Sequence, residues 1–135
     1  MFQEMLQAGG SGNFSNYAQV TLTYNGNLNN YLSRSYTTNP DVFSLNRERG
    51  VGDGVGWEYI TIKKKGKYTF LINSSGRGTT ADYTITIGTG KYSKNVGADF
   101  LEIVSLDLDV DDRCDLELSA SSNGANNITV TILEA

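Results

Sequence analysis

Histidine is absent from the 135-residue chain, cysteine and proline occur once each, and no apolar run approaches the roughly 20 residues that a membrane-spanning helix needs. Without histidine there is no Ser-His-Asp or Cys-His mechanism, and the commonest metal ligand is missing. With Cys114 alone, no intrachain disulfide forms and no four-cysteine or mixed Cys/His zinc site can be assembled. Basic residues are also in deficit. Eleven Lys and Arg face fifteen Asp and Glu, for a net charge of −4, which argues against nucleic acid as a partner. The amino terminus Met1-Phe2-Gln3-Glu4-Met5-Leu6 has neither the basic start nor the long apolar stretch of a secretory signal. The expectation is a soluble chain made in the cytoplasm without a signal peptide and without membrane insertion.

What is present is a mixture of turn formers and strand formers. Gly, Asn, Ser and Thr are abundant, while eight tyrosines, five phenylalanines and one tryptophan supply large apolar area per residue. The length suits one domain, here expected over residues 17–135 after a peptide and glycine-rich linker over 1–16. In that peptide Phe2, Met5 and Leu6 have helical spacing, and Gly9-Gly10-Ser11-Gly12-Asn13 follows as a flexible composition. A short helical or disordered end is expected there, and a docking peptide for another subunit is the sharper alternative.

From Ala18 the period becomes two, with Ala18, Val20, Leu22 and Tyr24 on one face of a half-buried strand. Residues 28–56 are poorly patterned and end in Gly50-Val51-Gly52-Asp53-Gly54-Val55-Gly56, a turned loop. Residues 57–62 and 68–72 read as two strands joined by the basic turn Lys63-Lys64-Lys65-Gly66-Lys67, with Trp57 and Tyr59 clustering against Tyr68, Phe70 and Ile72 across a hairpin. Further strands are expected over 82–87, 100–108, 115–120 and 128–133. Seven or eight short strands at regular spacing predict an all-β, antiparallel β-sandwich of jelly-roll type.

Two resemblances add to this. The stretch Trp57 to Ile62, a turn with Gly66, and the step Gly66-Lys67-Tyr68-Thr69-Phe70 resemble a central hairpin of tumour-necrosis-factor-like and complement-globular-domain jelly rolls. Asp112 before Leu116-Glu117-Leu118, with Ile128 to Leu133 closing, is similar to a later segment of those families. The opening Met1 to Gln7 with its glycine run resembles small proteins encoded among phage and prophage tail and receptor-binding genes. The resemblances imply a trimer-prone module that is virion-associated or surface-borne.

Three constellations are candidates for chemistry. Asp107, Asp109 and Asp111 would share one face of an extended strand about 7 Å apart, a spacing of hard oxygen ligands that suits calcium. The EF-hand pattern fails, because Asp112 and Leu118 stand where glycine and glutamate belong. The simpler reading is a solvated strand face and turn. Tyr31, Tyr36 and Tyr92 sit in polar surroundings and are the candidates for stacking on a glycan. Glu58 and Glu102 are carboxylates of the kind a glycosidase uses, although alternation predicts that both face solvent. The lysine run protects a strand end, or orients a neighbouring subunit against the acidic run. Cys114 is expected in the core. The reading from these residues is a non-enzymatic structural or adhesion module of a phage or prophage particle that works as a homo-oligomer. The alternative is a soluble carbohydrate-binding module.

Overall fold

The computed structural model describes residues 16–25, 31–45, 50–52, 55–77, 81–97, 99–120 and 125–135, which form strands and turns and contain no helix. The amino-terminal peptide and most of its linker lie outside the described residues. Among the described residues eleven strands follow in order: β1 Tyr17–Asn25, β2 Tyr31–Thr37, β3 Phe43–Leu45, β4 Gly50–Gly52, β5 Val55–Ile62, β6 Gly66–Arg77, β7 Ala81–Ile87, β8 Tyr92–Val96, β9 Phe100–Leu108, β10 Arg113–Ala120 and β11 Ala125–Glu134. They make two antiparallel sheets. The front sheet runs β2-β1-β11-β6-β9, and the back sheet runs β3-β5-β10-β7-β8 with β4 also paired to β5.

The short strands β2, β3 and β4 only extend β1 and β5. Counting the other eight in chain order, the front sheet reads first, eighth, third, sixth, and the back sheet second, seventh, fourth, fifth. First pairs with eighth, second with seventh, third with sixth and fourth with fifth, so one long antiparallel ribbon is rolled over on itself. The chain is a jelly roll.

Period-two patterning supplies the core. Ala18, Val20 and Leu22 of β1, Phe70 and Ile72 of β6 and Ile128, Val130 and Ile132 of β11 face Ile60 and Ile62 of β5, Tyr83, Ile85 and Ile87 of β7 and Cys114, Leu116 and Leu118 of β10. All are fully buried or nearly so. Burial pushes the Cys114 thiol up out of the reactive range, as suits a small core residue.

The expected hairpin between residues 57–62 and 68–72 is corrected by the sheet order, since β5 lies in the back sheet and β6 in the front. The lysine turn is a corner that carries the chain from one sheet to the other. Ile62 N–H donates to Asp112 O (2.8 Å), Asp111 N–H to Ile62 O (2.7 Å) and Lys63 N–H to Val42 O (2.8 Å), so this corner is laced to its neighbours by backbone bonds. Tyr68 and Phe70 therefore cannot pair across strands with Trp57 and Tyr59. The cross-strand partners of Phe70 are Ile132 and Val104, and the side chain of Trp57 lies outside the described residues.

β7 and β8 form a true hairpin, and its turn depends on glycine. Gly88 and Gly90 have φ of 62° and 71°, the left-handed region where an L side chain is strained. A Cβ on Gly88 would also lie 2.9 Å from Lys91 Cδ, and Lys91 is held in place by Asp109 and Asp112. Gly88→Ala is expected to destabilise the fold by about 1–2 kcal/mol, measured by urea unfolding. A neutral result would mean that the turn relaxes freely.

Candidate functional site

A sandwich offers outside its core two outer sheet faces and two open edges, and here the two faces differ in chemistry. On the front sheet, register builds cross-strand rows. One row is Tyr36, Gln19, Thr131, Leu71, Ile103, and the next is Arg34, Thr21, Thr129, Asn73, Leu101. A third runs Tyr17, Leu133, Thr69, Ser105. Charge is scarce across these rows, with Arg34 alone. The polar atoms bond sideways within the face. Gln19 Nε2 donates to Thr131 Oγ1 (2.9 Å), the Thr21 and Thr129 hydroxyls meet at 3.1 Å, and those of Thr69 and Ser105 at 2.9 Å. These bonds use part of the face's hydrogen-bonding capacity and so lower the cost of drying it.

Apolar groups concentrate there too. Among the described residues the exposed large apolar side chains are Tyr36, Leu101, Ile103 and Val110, and the first three belong to this face at 45, 69 and 61% exposure. Leu101 and Ile103 stand on the edge strand β9, and Tyr36 stands on the opposite edge strand β2, with its ring edge-on to Tyr17 at 5.7 Å. Burial and then the Tyr17 hydroxyl push the Tyr36 phenol up to about 12. Gln19, Thr21, Thr23, Arg34 and Tyr36 line a hollow of about 450 Å³ on the β1-β2 side.

The back sheet presents a different outer face. Its rows are Tyr59, Asp115, Thr86, Ser93 and Trp57, Glu117, Thr84, Asn95, with the second row given by backbone register. Arg113 Cζ lies over the Tyr59 ring, 3.6 Å from its centroid, and the guanidinium donates to Asp115. This face is polar and hydroxyl-rich.

The three tyrosines singled out for glycan stacking do not come together. Tyr31 opens β2 opposite Tyr24, and its side chain lies outside the described residues. Tyr36 is exposed on the front face. Tyr92, at the start of β8 in the back sheet, turns against the core and donates its hydroxyl to Glu102. Burial and that carboxylate hold the Tyr92 phenol well above the usual tyrosine range. The expected solvent exposure of the two glutamates is corrected as well. Glu58 is buried at 3% exposure and accepts from Ser33 Oγ at 2.5 Å beside β2. Glu102 is half-buried at the other edge of the sandwich, where the Tyr92 and Lys94 side chains hold its carboxyl below the usual range. They do not form a catalytic pair.

The acidic run is rearranged in the same way. β9 ends at Leu108, so Asp109 and Asp111 leave the strand face on which Asp107 stands opposite Lys67. Lysines meet them instead. Lys63 Nζ is 3.0 Å from Asp111, Lys65 is 3.8 Å from Asp109, and Lys91 lies 3.2 Å from Asp109 and 2.7 Å from Asp112. The basic and acidic runs thus pair with each other within one chain. Among the described residues no group of three or more acidic, Cys or His side chains is placed to hold a metal ion. A calcium ion at Asp109 and Asp111 would have to displace these ammonium groups. Millimolar calcium is accordingly expected to leave the melting temperature unchanged, and a clear rise would show through linkage that a site forms.

The signal for the front-face apolar groups was present in the sequence. Phe100-Leu101-Glu102-Ile103-Val104 and Phe70-Leu71-Ile72 are apolar at both parities, as in strands covered on both faces.

No family model matches the chain, and no curated protein does. Among solved structures it is similar to two crystal structures of murine APRIL, at pH 8.5 and pH 8.0. Identity is 6 and 8% and the TM-scores are 0.43 and 0.44, over 88% of this chain and 99% of the APRIL chain in each case. The jelly-roll assignment rests on the strand order described above.

Proposed function

We propose that the chain is a non-enzymatic assembly and adhesion module whose copies associate through the outer face of the front sheet. The observation that carries this reading is the placement of Leu101 and Ile103 at one edge of that face, with the hollow beside Tyr36 at the other. The two edges lie four strand spacings apart, about 19 Å. The apolar edge of one copy fits the hollow of the next, a contact between different patches that closes into a ring, and three is the smallest such ring without a dyad. The lateral bonds of Gln19, Thr21, Thr129 and Thr131 lower the cost of burying that part of the face.

Assembly would leave the polar back-sheet faces pointing outward, where repetition turns a weak contact into an avid one. The virion or surface setting implied by the amino-terminal resemblance belongs to this proposal. Light scattering coupled to size exclusion tests it. The expected mass is about 44 kDa, three times the 14.7 kDa chain, and a monomer at micromolar concentration would overturn it.

A further inference from the structure

We infer that the outer face of the back sheet carries a groove for a neutral saccharide, with Glu117 and Asp115 accepting from adjacent sugar hydroxyls. Two hollows meet there. One, about 450 Å³, is lined by Thr84, Thr86, Asp115 and Glu117, and the other, about 420 Å³, by Thr86, Thr89, Asp111, Asp112, Arg113 and Asp115. Thr86 and Asp115 belong to both, so the hollows form one groove crossing β7 and β10.

The donors and acceptors along it decide the ligand class. Glu117 is exposed and makes no hydrogen bond or ion pair among the described residues. Asp115 accepts from Arg113 with Oδ1, and its Oδ2 makes no hydrogen bond among the described residues. Thr84 Oγ1 accepts from Asn95 Nδ2 at 2.9 Å, so its own O–H is left to donate. The Arg113 guanidinium, over the Tyr59 ring, is a further donor.

A cation would want acceptors only and a phosphate donors only, whereas a polyol uses both at every hydroxyl. Nor is the groove an acidic patch. Asp111 is neutralised by Lys63, Asp112 by Lys91 and Asp115 by Arg113, which leaves Glu117 as the one uncompensated carboxylate among the described residues lining it. A basic peptide therefore gains one ion pair at most, while an ionised carboxylate beside threonine hydroxyls matches a pair of neighbouring sugar hydroxyls.

The site is complete in one chain. It gives the adhesion part of the proposed function its ligand class, and self-association would only repeat it. The test is a backbone-amide NMR titration of the full chain with the methyl glycosides of glucose, galactose and mannose and with N-acetylglucosamine, each to about 50 mM, in the weak range of single saccharide sites. At least one sugar is expected to give saturable shifts at Thr84, Thr86, Asp115 and Glu117. Glu117→Gln, an exposed change that keeps one acceptor, should weaken that binding about tenfold or more at an unchanged melting temperature, and Tyr36→Ala should leave it intact. The Leu101→Asp, Ile103→Asp chain should bind the same sugar with the same single-site affinity, which separates failure of this groove from failure of the assembly. No saturable shift with any sugar, shifts that follow Tyr36 instead, unchanged affinity in the Glu117 variant, or tetralysine shifting these amides when no sugar does would each overturn the inference.

Discussion

Between pH 10 and pH 12 the folded chain is expected to lose on the order of 5 kcal/mol of stability through two tyrosines alone. Tyr68 and Tyr83 are fully buried, and their hydroxyls donate to the carbonyls of Lys64 and Ser75. Burial, assisted by the nearby Glu134 charge, pushes the Tyr68 phenol up to about 12. Burial likewise takes Tyr83 to about 12, with the Asp99 charge adding to it and a backbone bond from Asn127 opposing it. An unfolded tyrosine titrates near 10. A folded-state value above the unfolded one means that the contribution is whole below about pH 10 and disappears as the pH rises through about 12. Two units at each residue correspond to about 2–3 kcal/mol each, a large part of the roughly 5–15 kcal/mol that holds a domain together.

Deprotonation of Lys91 acts in the same direction, since its bonds to Asp112 and Asp109 raise it above the ordinary lysine value. Urea unfolding at stepped pH, read beside ultraviolet tyrosinate absorbance, checks the prediction. The steep fall in stability should coincide with a late step in absorbance that is smaller than the total from all eight tyrosines. Tyr68→Phe should remove part of that late step at a cost of about 1 kcal/mol at neutral pH, for the carbonyl it leaves unpaired. Titration of every tyrosine near pH 10 in a chain that stays folded would contradict the argument.

The strands that the sequence made legible are those in which period two is strict and one face is buried. Ala18-Val20-Leu22, Tyr83-Ile85-Ile87 and Ile128-Val130-Ile132 all point inward as their alternation requires. β2, β3 and β8 are edge strands without the apolar residues that made the edge strand β9 legible. Arg34, Tyr36, Ser44 and Lys94 can lie at an edge without any apolar rhythm, since only one neighbour and part of one face constrain them. The sheet-crossing corners were misread for a related reason. A hairpin announces itself through residues that tolerate positive φ, as Gly88 and Gly90 do between β7 and β8. The turn Lys63-Lys64-Lys65-Gly66-Lys67 does hold a glycine, but Gly66 opens β6 without a positive φ, so a glycine in sequence alone does not separate a hairpin from a corner. The site residues suffered most. Tyr92 and Glu102 both read as surface groups singly, and only the packing of β8 against β9 shows that each satisfies the other.

Aspartate at positions 101 and 103 together is expected to convert the assembled form into a monomer of 14.7 kDa with no loss of fold. Both side chains are largely exposed, at 69 and 61%, so replacing them removes little burial from the single chain. In the proposed ring the same two positions are the central apolar contact, and each copy would bring two carboxylates against a hollow whose one charged lining residue among those described is Arg34, so at least one carboxylate is left unpaired. Burying an unpaired charge costs several kcal/mol, and the ring repeats that cost at every contact. Arg34 offers the sharpest internal control, because it lines the hollow that receives the edge. A single Ile103→Asp chain can still find Arg34 of the next copy and should retain part of the assembly, whereas Ile103→Asp combined with Arg34→Ala should retain none. Light scattering gives the masses, and far-ultraviolet circular dichroism with a melting curve gives the fold. If the double aspartate chain keeps the mass of the unaltered one, the front face is not the interface. If instead it loses both mass and fold, the partner copies contribute to the stability of each domain, and the melting temperature of the unaltered chain must then rise with protein concentration.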